Sequence, residues 1–292
     1  MNDQSELLNN YRSLSLDLRE MILDMASNPA GAHIGGALSV ADIMVVLFHK
    51  IMSVTQGTSE TDCLVLSKGH CASALYAALA QCGYLQRSEL ATYAGNGSRL
   101  GGHPSAKIPT VMFPTGSLGH GLSLGVGTAL GKARMQKSGD TFVILGDGEL
   151  QEGSVWEAAS SATKFGLGCL CAVVDRNQLQ INGRTNDWLP QQALMDRWES
   201  FGWHVECCDG HDHAVLEAAF LSRTEHPDRP TVIIANTVKG QGVNFMSGNK
   251  KSHYVHLNPK LSKRAKAELR NCLLYTSPSP RDQRGSRMPS SA

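Results

Sequence analysis

Short apolar strand patterns that alternate with helical patterns restrict the fold of this chain more than any other feature. Five runs rich in Val, Ile and Leu predict strands: CLVLS (63–67), TFVILG (141–146), LCAVVD (170–175), WHVEC (203–207) and TVIIANT (231–237). Helical spacing of apolar residues extends over about 6–25, 40–51, 71–82, 121–136, 150–165, 190–201 and 212–223. Strands that are apolar on both faces are typical of a parallel sheet covered by helices on both sides. The sequence therefore predicts a doubly wound, mostly parallel α/β domain.

Residues 273–292 differ in composition from the rest of the chain. Their sequence, LLYTSPSPRDQRGSRMPSSA, holds three prolines, five serines and three arginines against one acid, and it has no periodic apolar face. Such a segment is predicted to be disordered. It is either a natural flexible tail or foreign sequence added past the end of the gene, and we favour the second. The predicted domain therefore spans 1–272, with a last helix near 257–270 and a non-native tail over 273–292.

The charge balance excludes two broad classes of partner. The full chain carries 27 basic and 26 acidic side chains, a net charge of +1, and without the tail it carries 24 and 25. This balance gives no electrostatic basis for binding a nucleic acid or an anionic membrane. The start, MNDQSELLNNYRSLS, lacks the basic and apolar regions of a signal peptide. The eight cysteines form no CxxC motif, so we expect free thiols in a cytoplasmic protein.

The sequence Gly146-Asp147-Gly148 lies directly after one predicted strand and directly before a helix. Glycines let the backbone approach a ligand closely, and free N–H groups at a helix start attract an anion. Asn177 follows the next strand, thirty positions after Asp147. In a right-handed βαβ unit the two strand ends can be neighbours, so both side chains can supply oxygen ligands to one hard cation. The pair predicts a metal-bridged phosphate site.

This GDG sequence with its spaced Asn resembles the thiamine diphosphate-binding motif. Together with LSKGHCASALYAAL (66–79), GAHIGGALS (31–39), GGHPS (101–105) and GSLGHGLSLGVGTALG (116–131), the run GDGELQEGSVWEAASSA (146–162) is similar to the transketolase family. The resemblance covers nearly all of residues 5–260, with the motifs in family order. It corresponds to the amino-terminal, diphosphate-binding half of a full-length transketolase, and it implies the diphosphate domain of the thiamine diphosphate-binding fold.

The resemblance implies a set of magnesium and cofactor ligands. The magnesium ligands would be the side chains of Asp147 and Asn177 and the backbone carbonyl of Leu179, with the diphosphate completing the shell. His70 would be a protonated imidazole beside the diphosphate. The implied cofactor-binding residues are His70, Gly116, Leu118, Gly148, Glu152 and Asn177, with Gly116 at the aminopyrimidine and Leu118 beneath the cofactor. Many relatives have Pro and Gln where this chain has Ser117 and His120.

The resemblance also implies residues that face the substrate. His33 and His103 are similar to histidines that bind the oxygens of the sugar and stabilise charge during cleavage of the carbon–carbon bond. The run SHYVHLNP supplies a third, either His253 or His256, and we favour His253 because small transketolase subunits have a Trp-His pair there. Glu152 and Glu157 resemble the acidic residues that link two active sites across a dimer. We include Glu157 in the predicted catalytic group.

Other polar and aromatic residues are given simpler interpretations. Lys239 follows the last strand and is interpreted as solvated. The tryptophans, Trp156, Trp188, Trp198 and Trp203, are interpreted as packing residues.

The implied activity is transfer of a two-carbon ketol unit from a ketose phosphate to an aldose phosphate, as in the pentose phosphate pathway, with thiamine diphosphate and Mg²⁺. The glutamate that contacts the aminopyrimidine belongs to the other half of the family sequence and is not found here. The chain thus resembles one subunit of a split transketolase, active only with a C-terminal, pyrimidine-binding partner in an α2β2 assembly. Alternatives are a subunit of a 1-deoxyxylulose-5-phosphate synthase or 2-oxo acid dehydrogenase, or a non-catalytic regulatory subunit. Retention of His33, His70 and His103 favours the transketolase.

Overall fold

A five-stranded parallel sheet lies at the centre of the molecule in a computed structural model that describes residues 2–53, 61–108 and 110–276. In chain order the strands are β1 (Cys63–Leu66), β2 (Thr141–Gly146), β3 (Leu170–Arg176), β4 (Leu179–Gln180), β5 (Gly183–Arg184), β6 (His204–Asp209) and β7 (Thr231–Asn236). The sheet has the order β1-β2-β3-β7-β6, and each neighbouring pair is parallel. Strands β4 and β5 form a separate antiparallel pair. The predicted α/β class is confirmed.

Helices cover both faces of this sheet. They are α1 (Asn2–Ala26), α2 (Ile34–Ser39), α3 (Ala41–Val46), α4 (Ala72–Gln81), α5 (Gly121–Arg134), α6 (Gly153–Lys164), α7 (Gln191–Ser200), α8 (His213–Ser222) and α9 (Pro259–Thr276). Alternate residues of one strand enter different cores. Phe142 and Ile144 pack with α1 to α4, α8 and α9, whereas Val143 and Leu145 pack with α5 to α7. Burial on both sides explains why the strands are continuously apolar.

The segment around His33 is more helical than the sequence indicated. Gly35 and Gly36 belong to α2, and Val40 separates this helix from α3. Leu47–Ile51 continues α3 as a π-helical turn, so the predicted helix over 40–51 is present from Ala41. A Cβ atom on Gly35 would lie 2.6 Å from the Ser252 hydroxyl oxygen, and one on Gly36 would lie 2.8 Å from the Cys71 sulfur. These glycines therefore serve close packing rather than a turn.

Two predicted boundaries shift in the structure. Strand β6 begins at His204 and ends at Asp209, while Trp203 is buried in the core beside it. Helix α9 continues to Thr276. The last helix therefore extends past its predicted end near 270, because no proline or glycine interrupts the run between Pro259 and Pro278. The domain boundary at 272 stays a prediction. Residues 277–292 of the predicted tail lie outside the described residues.

Two further expectations concern the membrane and the thiols. Within residues 2–53, 61–108 and 110–276, no helix combines the length and the apolar content that a membrane crossing requires. The seven cysteines described are free thiols, and four of them are buried: Cys63, Cys71, Cys171 and Cys208.

Candidate functional site

Three loops meet at the carboxyl edge of β1, β2 and β3. After β1, the turn Gly69–Cys71 carries His70. After β2, Asp147 is followed by the short 3-10 turn Gly148–Gln151. Gly146 at the end of β2 is paired in register with Asp175 of β3, so the GDG turn lies beside the segment that begins at Asn177. This edge is where ligands bind in open parallel sheets.

Asp147 is held against the segment that follows β3. One carboxylate oxygen, Oδ2, accepts hydrogen bonds from the Gln178 N–H at 2.7 Å and the Thr185 hydroxyl at 2.6 Å, while Oδ1 accepts from the Gly148 N–H at 3.0 Å. Gln178 has a φ of 62°, a left-handed conformation that non-glycine residues rarely adopt. The bonds from Gln178 and Thr185 hold the segment that contains Asn177 and Leu179 against Asp147, and they stabilise the strained conformation of Gln178.

The predicted metal ligands are one carboxylate, one amide oxygen and one backbone carbonyl. In the part of the chain that the structure describes, no group of three or more His, Cys, Asp or Glu side chains is arranged to hold a metal. The set Asp147, Asn177 and Leu179 is instead made of hard oxygen donors, which suit Mg²⁺ when phosphate oxygens or waters complete its octahedral shell. The donor chemistry therefore fits a magnesium diphosphate.

A fully buried ion pair lies beneath these ligands. The Lys68 ammonium contacts the Asp175 carboxylate, and their side chains are 1% and 0% exposed. Asp175 also accepts hydrogen bonds from the hydroxyls of Ser39 and Thr237. Burial works against both charges, yet the pairing raises the pKa of Lys68 and lowers the pKa of Asp175. Our sequence reasoning missed this pair, although a Lys and an Asp at the ends of two apolar strands are a usable signal.

The same pair orients the predicted amide ligand. The Asn177 Nδ2 atom lies 3.4 Å from the Ser39 Oγ and 3.4 Å from Asp175 Oδ2. The other end, Oδ1, accepts from the Leu179 N–H at 3.2 Å. Acceptors around Nδ2 and a donor at Oδ1 together fix the orientation of the Asn177 amide.

Four histidines from separate loops form a cluster next to these ligands. The ring centroid of His33 lies 5.5 Å from that of His70, 5.8 Å from that of His103 and 5.3 Å from that of His253. The rings of His70 and His253 are 5.6 Å apart. His256 instead lies exposed near α9. The structure therefore brings His253, rather than His256, to the predicted site.

Three members of this cluster are neutral imidazoles near pH 7. Burial lowers the pKa of His33 to about 4, and His253, His103 and Lys239 lower it further. Burial followed by Lys239 lowers the pKa of His253 to about 4. Burial followed by Lys68 lowers the pKa of His70 to about 2, so the protein's own groups favour a neutral imidazole. A protonated His70 beside a diphosphate stays a prediction. Neutral imidazoles can both donate and accept hydrogen bonds.

The buried His33 Nδ1 atom has no hydrogen-bond partner in the described chain. Buried polar atoms are almost always paired, so an orphan of this kind at a cleft indicates a position for a ligand or a water.

Lys239 connects the metal ligands to the histidines. It is only 3% exposed, and its Nζ atom lies 3.1 Å from the Leu179 carbonyl oxygen and 3.2 Å from His253 Nδ1. Burial, followed by the charge of Lys68, lowers its pKa. The interpretation of Lys239 as a solvated residue is wrong. Sequence position offered one signal for its role, because Lys239 follows the carboxyl end of β7.

The remaining predicted cofactor residues lie on the loop before α5 and in the GDG turn. Gly116 is exposed, and a Cβ atom there would lie 3.3 Å from the His103 ring. A Cβ atom on Gly148 would lie 3.0 Å from the Gln180 side chain. Leu118 is 37% exposed. These positions leave backbone and apolar surface open to a ligand.

The predicted acidic residues and one tryptophan lie on the outer surface. Glu152 is exposed at the start of α6, and Glu157 is exposed on its next turns. Neither carboxylate contacts the histidine cluster in the described chain, so the structure groups three of the four predicted catalytic residues. Trp188 is 74% exposed, and its interpretation as a packing residue is wrong.

Acidification is expected to destabilise the protein through these histidines. In the unfolded chain they titrate near the ordinary value of 6.5, whereas the folded values of His33 and His253 are about 4 and that of His70 is about 2. Between pH 6.5 and 4 the unfolded state therefore binds more protons, and stability falls as pH drops, by at most about 1.4 kcal/mol per pH unit for each group. Urea denaturation at a series of pH values measures this slope.

A matched pair of variants assigns this pH dependence. His70→Gln should flatten the decline, whereas His120→Gln, at an exposed position, should not. An unchanged slope in His70→Gln would contradict the assignment.

Comparisons with known proteins agree with this geometry. The family model described as "Transketolase, thiamine diphosphate binding domain" matches residues 7–270. A subunit of the apulose-4-phosphate transketolase of Phocaeicola vulgatus is 38% identical over 240 residues, which cover 81% of this chain and 85% of that protein. The 6-deoxy-6-sulfo-D-fructose transketolase subunit SqwG of a Clostridium species is 37% identical over 256 residues, with 86% and 93% coverage.

A solved structure gives the same result for the fold. Transketolase from Campylobacter jejuni superimposes with a TM-score of 0.84 at 28% identity, and the match covers 92% of this chain and 43% of that one. The chain described here spans less than half of that transketolase. It belongs to the transketolase family and contains the thiamine diphosphate-binding domain of that family.

Proposed function

We propose that the chain is the thiamine diphosphate-binding subunit of a split, cytoplasmic transketolase that moves a two-carbon ketol unit from a ketose phosphate to an aldose phosphate. One observation carries this proposal. The oxygen donors around Asp147 and the neutral histidines around His33 lie at one edge of the sheet, joined by Lys239. The first group suits a magnesium diphosphate, and the second suits the hydroxyl and carbonyl oxygens of a sugar.

The proposed cofactor site divides into a metal part and a diphosphate part. Asp147, Asn177 and the Leu179 carbonyl would hold Mg²⁺. The N–H of Gly148 and the side chain of His70 would contact the diphosphate, and Gly116 and Leu118 would contact the rings. Glu152 completes the proposed set. When bound, thiamine diphosphate supplies a nucleophilic carbon and an electron sink for breaking and forming the carbon–carbon bond.

The histidines are proposed to position the sugar. The free Nδ1 atom of His33 and the exposed ring of His103 offer hydrogen bonds to a bound ketose, and His253 faces both His33 and His70. Because burial keeps His33 and His253 neutral, each can donate or accept a proton as charge develops on the substrate oxygens. The protein thus contributes orientation and electrostatic stabilisation.

A second subunit is proposed to complete the active site. Relatives of similar length are themselves named as single subunits of a transketolase. Large apolar side chains are exposed on the loops that carry or adjoin the proposed site: Leu118, Ile181, Trp188 and Tyr254. We propose that a C-terminal, pyrimidine-binding subunit covers this surface in an α2β2 assembly, in which Glu152 and Glu157 connect two active sites.

The names of two relatives suggest the kind of donor. One refers to a ketose phosphate, apulose-4-phosphate, and the other to a sulfonated ketose, 6-deoxy-6-sulfo-D-fructose. We propose that the donor for this chain is also a ketose with an anionic group at the end remote from its carbonyl.

Reconstitution tests the proposed function. The purified chain is mixed with the C-terminal transketolase subunit of the same genome and an aldose phosphate acceptor. Release of an aldose from phosphorylated and sulfonated ketoses is then followed together with formation of the new ketose phosphate. We expect transfer that requires both subunits, Mg²⁺ and thiamine diphosphate. Substantial transfer by this chain alone would contradict the split-subunit proposal. A complex that binds thiamine diphosphate with Mg²⁺ but transfers no ketol unit would contradict the transketolase activity.

A further inference from the structure

Glu149 is a buried carboxylate that contacts three separate loops. It is 3% exposed, in the short turn that follows Asp147. Its Oε1 atom accepts hydrogen bonds from the Ser67 hydroxyl and from the Gly119 N–H at 2.9 Å. Its Oε2 atom accepts from the Gly146 N–H at 3.0 Å. The Ser67 oxygen in turn accepts from the Gly121 N–H at 3.1 Å.

The three loops carry different parts of the proposed cofactor site. The loop of Ser67 continues into Lys68 and His70, the loop of Gly119 and Gly121 begins with Gly116 and Leu118, and Gly146 directly precedes Asp147. The Ser67 and Lys68 N–H groups donate to the Ile144 carbonyl, the Thr115 hydroxyl donates to the Leu66 carbonyl and the Ser154 hydroxyl donates to the Gly119 carbonyl, so other bonds also cross between neighbouring segments. Glu149 differs from these groups because one side chain accepts from all three loops. We propose that Glu149 is a positioning residue that holds the three cofactor-binding loops in register.

The loops are packed so tightly that a polar group must satisfy their N–H groups. A Cβ atom on Gly121 would overlap the Ser67 side chain, and one on Gly119, at a φ of 84°, would lie 2.6 Å from the Glu152 Cβ. No side chain on these glycines can fill the space or pair with the neighbouring loop. Without Glu149, the N–H groups of Gly119 and Gly146 are left buried and unpaired, which favours opening of the loops.

Substitution by glutamine separates this role from a general effect on folding. The amide has one acceptor oxygen in place of two. An orientation that keeps this oxygen at the Oε1 position preserves the bonds from Ser67 and Gly119 and places an NH₂ group against the Gly146 N–H. Glu149→Gln should therefore release the Gly146 loop alone, whereas Glu149→Ala should release both loops.

Hydrogen–deuterium exchange of the full chain measures this release. In Glu149→Gln we expect exchange to become about 10-fold faster in peptides that contain Gly146, with no change over 116–121. In Glu149→Ala both regions should exchange faster. Ser67→Ala should accelerate exchange at 116–121 and serves as a second variant should Glu149→Ala fail to fold. Uniform acceleration across the chain, or no change in either region, would overturn the proposal.

Calorimetry connects the positioning role to the cofactor. The inference rests on the proposed function, so thiamine diphosphate with Mg²⁺ is titrated into the reconstituted complex. We expect about 10-fold weaker binding in Glu149→Gln and unchanged binding in Glu199→Gln, whose carboxyl is exposed on α7. Unchanged cofactor affinity in Glu149→Gln would overturn the link to the cofactor. If wild-type protein also fails to bind, the proposed function fails, while the exchange data still decide whether Glu149 joins the loops.

Discussion

Replacement of Asp147 by asparagine is expected to weaken Mg²⁺-dependent binding of thiamine diphosphate by more than about 100-fold, because Asp147 is the one charged group among the proposed metal ligands. The substitution preserves the shape of the side chain. Its amide oxygen can still accept from the Gln178 N–H and the Thr185 hydroxyl, which now bind Oδ2, while its NH₂ group would lose only the bond from the adjacent Gly148 N–H. The loop that carries Asn177 and Leu179 should therefore keep its conformation, and the loss should be specific to the metal.

The stability of the same variant provides an internal control. Burial, together with the charge of Asp175, raises the pKa of Asp147, so the carboxylate is costly to keep ionised when no metal is bound. Removal of this buried charge should offset the lost bond from the Gly148 N–H, so Asp147→Asn should be about as stable as wild type in the absence of Mg²⁺. Asp187→Asn, an exposed position of the same loop, should bind the cofactor normally. Scanning calorimetry without Mg²⁺ measures the stability of the variants, and titration calorimetry with and without Mg²⁺ measures their affinity for the cofactor. Near-normal affinity in Asp147→Asn would contradict the assigned metal site.

The sheet could be predicted from the sequence because its strands face apolar cores on both sides. Residues such as Phe142 and Val143 enter different cores, so the run they belong to is continuously apolar. Near Trp203 this signal is weaker. Strand β6 is at the edge of the sheet and mixes polar with apolar residues, so its true start at His204 could not be determined from hydropathy alone.

The helix at Ile34–Ser39 shows where local sequence preferences fail. Glycines are poor helix formers, and the sequence GAHIGGALS is typical of a loop. The helix forms because Gly35 and Gly36 allow Ser252, Cys71 and their neighbours to pack against its backbone. Cys71 and Ser252 lie about 35 and 215 positions further along the sequence, so a local sequence pattern cannot predict this packing.

Candidate site residues could be predicted where a motif carries the chemistry and were missed where packing decides it. Asp147 and Asn177 were recognised from their spacing after two strands. Lys68, Asp175 and Lys239 were missed because a charged residue at a strand end is equally consistent with a solvated surface. Only the folded arrangement shows that Lys68 and Asp175 are buried and paired, and that Lys239 contacts the Leu179 carbonyl.

Replacement of Lys68 by methionine is expected to destabilise the folded protein by about 3–5 kcal/mol, because it leaves the Asp175 charge buried without a cation. The two side chains are almost completely inaccessible, so water cannot solvate the carboxylate that remains. The hydroxyls of Ser39 and Thr237 still donate to it but carry no positive charge. Urea denaturation without cofactor measures the free energy of unfolding and excludes any effect through ligand binding.

A double-mutant cycle with Asp175→Asn separates the ion pair from simple loss of packing. The asparagine keeps an oxygen that can accept from Ser39 or Thr237, and with Lys68→Met it removes both charges. The double variant should therefore be more stable than Lys68→Met alone, with a coupling energy of about 1–3 kcal/mol. Strict additivity would contradict this account.

The pH dependence of Lys68→Met distinguishes an unpaired charge from a cavity. Without its cation, the buried Asp175 carboxyl should have a folded-state pKa above its unfolded value, so the variant's deficit relative to wild type is present at high pH and shrinks as pH falls through that raised pKa. A deficit caused only by the altered shape of the side chain would not depend on pH. Asp175 also accepts from the amide of Asn177, a proposed metal ligand. Protonation of Asp175 in Lys68→Met should therefore stabilise the fold and at the same time remove an acceptor that orients Asn177. Stability of the variant should therefore recover at low pH without recovery of cofactor binding.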